Sequence, residues 1–130
     1  FDLVLMLWNV LGHASATEVL PQVRSRMKSQ STLILDVNNR YNARCYGVYP
    51  VVRNYLSDVV RGHREQPIPF PLTTGDCVTR VHLRTRNGIS RELRDAGFNP
   101  TQISYLDYAS GEKRRTQFGG QLVVVAKRTP

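Results

Sequence analysis

The 130-residue sequence has few cysteines, no long apolar run and no recognisable cluster of metal-binding side chains. Two cysteines, Cys45 and Cys77, are too few to staple a disulfide scaffold, so a reducing, cytoplasmic location is expected. The apolar run at residues 3–8 is far shorter than the roughly 18–20 residues of a membrane-spanning helix, and it lacks the basic leader of a signal peptide. The sequence therefore predicts no membrane span, no disulfide framework and no metal site.

The charge of the chain is strongly positive. Eighteen lysines and arginines against ten aspartates and glutamates give a formal net charge of +8 and a pI near 10.1. Such an excess can neutralise the phosphates of a nucleic acid. The basic residues are dispersed along the chain, however, and the dense run is confined to residues 113–115. We therefore expect a solvated charged surface, with binding of RNA or another polyanion as the alternative.

Apolar runs and turn residues predict an alternation of strands and helices. Strands are expected at residues 3–8, 32–37, 78–85, 102–108 and 121–127, and helices after residue 15, from residue 50 to Gly62 and at residues 87–96. The first strand, continuously apolar, is expected to be buried on both faces. The first helix starts at a capping box (SATE, residues 15–18), but Pro21 predicts that its first turn is irregular or that it begins nearer Leu20. Residues 9–14 and the proline-rich residues 66–75 are expected to be loops.

This order of elements predicts an α/β fold with a mainly parallel sheet. No helix separates the last two strands, so the final strand should run antiparallel. A helical insertion is expected at about residues 43–85. Its main helix carries an apolar face made of Val52, Tyr55, Leu56, Val59 and Val60. Because Phe1 leads directly into a strand, residues 1–130 are expected to be one partial domain, cut from something longer.

Four segments, in this order, resemble the second half of class I S-adenosyl-L-methionine-dependent methyltransferases. Residues 1–13 (FDLVLMLWNVLGH) are similar to that family's fourth strand and its following loop, and residues 33–37 (LILDV) to its fifth strand. Residues 93–98 (LRDAGF) resemble the turn before the sixth strand, and residues 121–127 (QLVVVAK) the terminal seventh strand. The resemblance covers nearly the whole chain and implies a Rossmann-like half-sheet. The polar residues after the first two strands further resemble small-molecule methyltransferases of the glycine N-methyltransferase type.

The chain departs from that family because the family's first half has no counterpart in it. No G-x-G motif occurs, and Gly119-Gly120 stand in the late connection before the last strand. The resemblance therefore implies S-adenosyl-L-methionine as cofactor but an incomplete pocket for it. It also implies an open edge on the first strand, and we expect self-association through this edge, near Leu3, Leu5 and Leu7.

The residues after the first strand are the candidates for contact with the cofactor, because ligands of open α/β sheets bind beyond the carboxyl ends of the strands. These residues are Leu7, Trp8, Asn9 and His13. Asn9 and His13 are also candidate catalytic residues. Asn9 could hydrogen-bond the acceptor or the amino-acid end of the cofactor, and His13 could accept a proton from an amine. The structural alternatives are a capping asparagine, a histidine packed on the next helix and a tryptophan in the core.

The residues after the second strand are the candidates for binding the acceptor. These are Asp36, Asn39, Arg40 and Tyr41. The planar guanidinium of Arg40 suits a carboxylate or a phosphate. The alternative for this segment is a polar turn that binds no ligand.

With the resemblance, these residues predict methyl transfer to a nitrogen or oxygen of a small-molecule acceptor. Such a transfer depends on positioning and on fixed dipoles, and it needs no metal. The isolated chain is expected to be nearly inactive. The alternative, of a different class, is a non-catalytic basic module that binds RNA or another polyanion.

Overall fold

The chain folds around a five-stranded sheet. The computed structural model describes residues 1–62, 68–71 and 78–130, and for residues 68–71 and 78–80 it describes the backbone. The strands of the sheet lie in the spatial order β1-β2-β7-β5-β6, and β3 and β4 form a separate two-stranded sheet. Their bounds are β1 Leu3–Met6, β2 Thr32–Val37, β3 Ile68–Pro71, β4 Val78–Val81, β5 Phe98–Leu106, β6 Lys113–Arg114 and β7 Gln121–Arg128.

The strand directions confirm the predicted α/β class and the antiparallel last strand. β1 pairs in parallel with β2, and β7 pairs antiparallel with both β2 and β5. Strands β1, β2 and β5 therefore run in one direction, with β7 inserted against them. The carboxyl ends of β1 and β2 consequently meet at one edge of the sheet, next to the start of β7.

Among the described residues, five helices connect the strands. Their bounds are α1 Val10–His13, α2 Ala16–Arg26, α3 Ala43–Tyr46, α4 Val48–Arg61 and α5 Arg86–Asp95. The last of these follows the predicted pattern: Ile89 and Leu93 are fully buried, and Gly97 follows its end with a positive φ of 80°. The described helices do not combine the length and apolar composition required to span a bilayer.

The core lies between the sheet and helices α2 and α5. Leu33, Leu35, Leu122 and Val124 contribute the buried side chains of the two central strands, and Leu20 is fully buried on α2. Because the central strands β2 and β7 are paired on both sides, their backbone is fixed, and the polar turns at their ends are held in place.

The structure corrects the prediction for the N-terminal run. The strand stops at Met6, and it is not buried on both faces, since Leu3 and Leu5 are more than half exposed. The physical reason is that Leu3 and Leu5 lie on the face of the sheet away from the core, where Ile34, the partner of Leu5 in β2, is also only partly buried. β1 is also an edge strand, paired only with β2 among the described strands. Residues 10–13 also form the short helix α1 where a loop was predicted.

Four further predictions are corrected in detail. Residues 68–71 form β3, paired with β4, where a loop was predicted, and prolines are tolerated there because the pair has two open edges. Strand β4 ends at Val81, and β5 starts at Phe98, earlier than predicted. Helix α2 starts at Ala16 and contains Pro21, and the Ser15 side chain contacts Thr17 Oγ1 at 2.7 Å with no cap hydrogen bond. The other residues of the predicted 66–75 loop, and Cys77, lie outside the described residues.

The apolar face predicted on α4 faces solvent. Val52, Leu56, Val59 and Val60 are between 47% and 81% exposed, whereas Val51, outside that face, is buried. Gly62 ends the helix as predicted, with a φ of 75°.

Candidate functional site

The ends of β1 and β2 are joined by hydrogen bonds through Asn9. The Asn9 backbone N–H donates to Asp36 Oδ1 at 3.2 Å, and the Asn9 side-chain oxygen accepts from the Asn38 N–H at 3.0 Å. Asn9 itself adopts a left-handed conformation, with φ 56°, which asparagine tolerates better than most residues. The two polar strand ends therefore converge on one edge, as the sequence predicts.

Asp36 is the centre of this edge. Its side chain is buried, and its second carboxylate oxygen accepts a hydrogen bond from the Tyr108 hydroxyl. Burial and the hydrogen bond to Asp36 raise the pKa of Tyr108 well above its usual value. The Tyr108 hydroxyl therefore stays protonated and acts as a donor. Because the Tyr108 side chain is half exposed, this pair lies at the surface where a ligand can reach it.

The predicted cofactor contacts extend from this edge into solvent. Trp8 is 92% exposed, and Leu7 is 46% exposed. Trp8 also has a positive φ of 67°, which is unusual for a bulky side chain and is typical of strained segments at functional sites. The core alternative for Trp8 is thereby excluded. His13, in the last turn of α1, is exposed as well.

Asn39 is fully engaged in holding a turn. Its side chain donates to the backbone oxygens of Gln117 and Gly120 at 2.7 and 2.9 Å, and its side-chain oxygen accepts from the Tyr41 N–H at 3.1 Å. The residue is buried. These bonds fix the backbone that carries Arg40 and Tyr41.

Arg40 and Tyr41 share one carboxylate, that of Asp58 on α4. The Arg40 guanidinium contacts both Asp58 oxygens, at 2.6 and 3.1 Å, and the Tyr41 hydroxyl donates to Asp58 Oδ2 at 2.8 Å. Burial, then the hydrogen bond to Asp58, raise the pKa of Tyr41 well above its usual value. The sequence offered no signal for Asp58, because a single acidic residue on an amphipathic helix is ordinary.

A pocket of about 380 Å³ opens beside Tyr41. Its described lining residues are Tyr41, Tyr55, Asp58, Val59, Thr85, Arg86, Asn87 and Gln117. The pocket thus joins the turn after β2, helix α4, the start of α5 and the approach to β7. Of the candidates from the sequence, only Tyr41 lines it, while Asn9 and Asp36 belong to the neighbouring strand-end edge.

Arg84 connects the two regions and was missed by the sequence analysis. Its side chain is 1% exposed, donates to the Leu11 backbone oxygen and pairs with Glu92 at 2.7 Å. Its backbone N–H donates to Asn38 O at 2.9 Å. Arg84 therefore fixes α1 against the turn after β2 and against α5.

Comparison with solved structures gives the fold family. A methyltransferase from Methanosarcina mazei superposes with a TM-score of 0.67 over 99% of this chain and 59% of its own, at 18% identity. A protein from Listeria monocytogenes, described as an S-adenosylmethionine-dependent methyltransferase, gives 0.69 over 100% and 62%, at 17% identity. A glycopeptide N-methyltransferase with S-adenosyl-L-methionine bound gives 0.56 over 100% and 54%, at 15% identity. The chain has the fold of S-adenosylmethionine-dependent methyltransferases.

The methyltransferase fold explains the observed strand order. Strands β1, β2, β7 and β5 are contiguous, as expected for the fourth, fifth, seventh and sixth strands of that fold. The chain spans about 60% of the length of the first two of these structures. No protein-family profile and no curated protein matches the sequence.

The residues at the β1 edge fit one side of a cofactor site. Solvent-exposed Leu7 and Trp8 could cover an apolar group, and the Asn9–Asp36 pair supplies a fixed polar edge beside them. No glycine-rich loop for the rest of the cofactor occurs in the sequence. Over the described ranges, no group of three or more His, Cys, Asp or Glu side chains could hold a metal.

Proposed function

We propose that this chain is the acceptor-side part of an S-adenosyl-L-methionine-dependent methyltransferase that methylates a nitrogen or oxygen of a small molecule. The observation that carries the proposal is the hydrogen-bonded convergence of the β1 and β2 ends at Asn9, Asp36 and Asn38. Ligands of open α/β sheets bind at this kind of edge. The methyltransferase fold, whose solved examples include an enzyme with S-adenosyl-L-methionine bound, supports that cofactor.

The cofactor would supply an electrophilic methyl group on a sulfonium. Transfer of that methyl group to a nitrogen or oxygen would leave the acceptor with a proton to lose. The chain's own residues position the reactants. Asn9 and Asp36 fix the edge, and the Tyr108 hydroxyl oxygen, whose proton is donated to Asp36, can accept a hydrogen bond from an N–H or O–H of the methyl acceptor. His13, exposed at the end of α1, is the group available to take the proton.

The isolated chain supplies only one side of the cofactor site, so we expect very weak binding of S-adenosyl-L-methionine. Isothermal titration calorimetry of the purified 130-residue chain tests this. No measurable heat supports the proposal that the remaining contacts lie elsewhere. A micromolar dissociation constant would show that this chain holds a complete pocket, and the proposal that the remaining contacts lie elsewhere would then be wrong.

A second function is favoured by one surface feature. Arg86 and Arg94 line a cleft of about 300 Å³ between α5 and β5, together with Ser90, Asn87 and Gln102. The described lining of this cleft contains no acidic residue, so it could bind the phosphates of RNA. Titration with single-stranded RNA at two salt concentrations separates the two functions, since binding through phosphates weakens steeply with salt.

A further inference from the structure

The pocket beside Tyr41 has an aromatic wall formed by Tyr41 and Tyr55, and the Phe118 ring, outside the described lining, packs against both. The Tyr41 and Tyr55 rings pack edge to face with centroids 5.5 Å apart, and the Tyr55 and Phe118 rings do so at 5.6 Å. Tyr55 and Phe118 remain 36% and 40% exposed. The volume of about 380 Å³ is within the range of about 300–1,000 Å³ that is usual for small-molecule sites. The wall offers ring faces and edges to a further aromatic group.

Arg40 is not available to bind an anion in this pocket. Both hydrogen bonds of its side chain to described residues go to Asp58, and its side chain is only 16% exposed. Breaking such a pair would leave a carboxylate poorly compensated in a half-buried place. The expectation that Arg40 holds a carboxylate or phosphate therefore does not follow from this geometry.

Arg86 is the guanidinium that remains free at the pocket. It is the first residue of α5, it is exposed, and its side chain makes no hydrogen bond or ion pair with any described residue. Asn87 and Gln117 add amide donors to the same lining. Since Asp58 already has Arg40 and Tyr41 as partners, the charge that Arg86 contributes is left for a ligand.

We propose that this pocket binds the acceptor, and that the acceptor is a ring compound carrying an anionic group, with the ring against Tyr41 and Tyr55 and the anion on Arg86. That the ligand is the methyl acceptor rests on the proposed function, but the binding itself does not depend on the cofactor. An aromatic carboxylate matches both halves of the pocket. A guanidinium binds a carboxylate through two parallel hydrogen bonds.

The experiment is a titration of the ¹⁵N-labelled chain with phenylacetate, followed by two-dimensional NMR. Phenylacetate should cause saturable shifts at the amides of Thr85, Arg86 and Tyr55. The neutral amide, phenylacetamide, should bind about tenfold more weakly, and cyclohexylacetate should also bind more weakly because its ring has no aromatic face. Arg86→Gln should weaken phenylacetate about tenfold and leave phenylacetamide unchanged.

Two control variants make the result specific. Arg94→Gln lies on the same helix and lines the neighbouring cleft but not this pocket, and Arg91→Gln removes the same charge where it lines neither. Both variants should leave the phenylacetate affinity unchanged. Because all three arginines are exposed, each variant should keep the dispersed NMR spectrum of the folded chain. The proposal is overturned if no shift saturates, if Arg86→Gln and Arg94→Gln weaken binding equally, or if the shifts centre on the neighbouring cleft. No cofactor is added in this experiment, so its outcome does not depend on whether the isolated chain binds S-adenosyl-L-methionine.

Discussion

The Asn9 side chain occupies the position that a Cβ atom on Gly12 would take. The two residues are also joined by a hydrogen bond from the Gly12 N–H to Asn9 O, at 2.7 Å. The same Asn9 side chain reaches Asn38 at the end of β2. The glycine in α1 is therefore what allows asparagine to join the two strand ends.

Gly12→Ala should break this connection. The added methyl group would displace the Asn9 amide from Asn38 and leave a partly buried backbone N–H without its acceptor, so the free energy of unfolding should fall by about 1–3 kcal/mol. Urea unfolding followed by circular dichroism measures the change. The control is Gly119→Ala, where a Cβ would lie 3.4 Å from the flexible Arg114 side chain, and it should change stability little. Equal losses in both variants would contradict the role given to Gly12.

Asp58→Ala should destabilise the turn after β2. The variant leaves the Arg40 guanidinium and the Tyr41 hydroxyl without the carboxylate that both contact. The side chain of Arg40 is 16% exposed and that of Asp58 is 10% exposed. Removing one partner of a largely buried pair lowers the free energy of unfolding by up to about 3–5 kcal/mol. Because this pair is partly exposed, we expect a loss of about 2 kcal/mol. The exposed Asp95→Ala is the control in the same urea series and should stay within about 0.5 kcal/mol of the parent.

Stability should depend on pH through Asp107. The hydrogen bond from Arg114, at 2.6 Å, is the largest cause that lowers the pKa of the Asp107 carboxyl, and Arg44 also contacts it. A carboxyl whose pKa is lower in the folded state stabilises the protein above its unfolded pKa of about 3.9, and this contribution is lost as the pH falls through the folded value. The stability difference between the parent and Asp107→Asn should therefore be largest at neutral pH and shrink below about pH 4. A difference that stays constant from pH 7 to pH 2 would show that the ion pair is not responsible.

Tyr108 should titrate later than a free tyrosine. Burial and the hydrogen bond to Asp36 raise its pKa, so Asp36→Asn should lower the pKa of Tyr108 towards its usual value of about 10. Absorbance of tyrosinate in an alkaline titration, with Tyr108→Phe to assign the step, measures this. No change in the assigned step on Asp36→Asn would place the hydrogen bond in doubt.

The chain should associate through the edge of β1. Leu3 and Leu5 are more than half exposed beside backbone groups that β2 does not pair. We expect a concentration-dependent dimer in sedimentation, which Leu5→Lys removes, because a charge on an edge strand opposes further pairing. Val59→Lys, on the exposed face of α4, is the comparison. If it removes the dimer and Leu5→Lys does not, the contact lies on α4.

Local patterns in the sequence predicted the central strands and α5 well. The run at residues 32–37 is apolar at each position that the core requires, and it forms β2 with the predicted bounds. Ile89 and Leu93 recur at helical spacing and are buried as expected. These elements are determined by short-range periodicity, which a single sequence contains.

Contacts between residues that are distant in the chain explain which features the sequence could not predict. An apolar run does not show which layers will cover a strand, so residues 3–8 predicted burial on both faces where only one face packs in the core. The partners of Asp36 and Arg40 are Tyr108 and Asp58, which are separated from them by 72 and 18 residues. Such contacts depend on the folded arrangement of several elements, and they cannot be predicted from residue spacing.

The single tryptophan of the chain, with its indole 92% open to water, is also a natural optical reporter. Its emission should already be red-shifted in the native state and should change little on denaturation. A blue shift would then signal that another surface covers the end of β1, which gives a label-free assay for a ligand or partner that binds there.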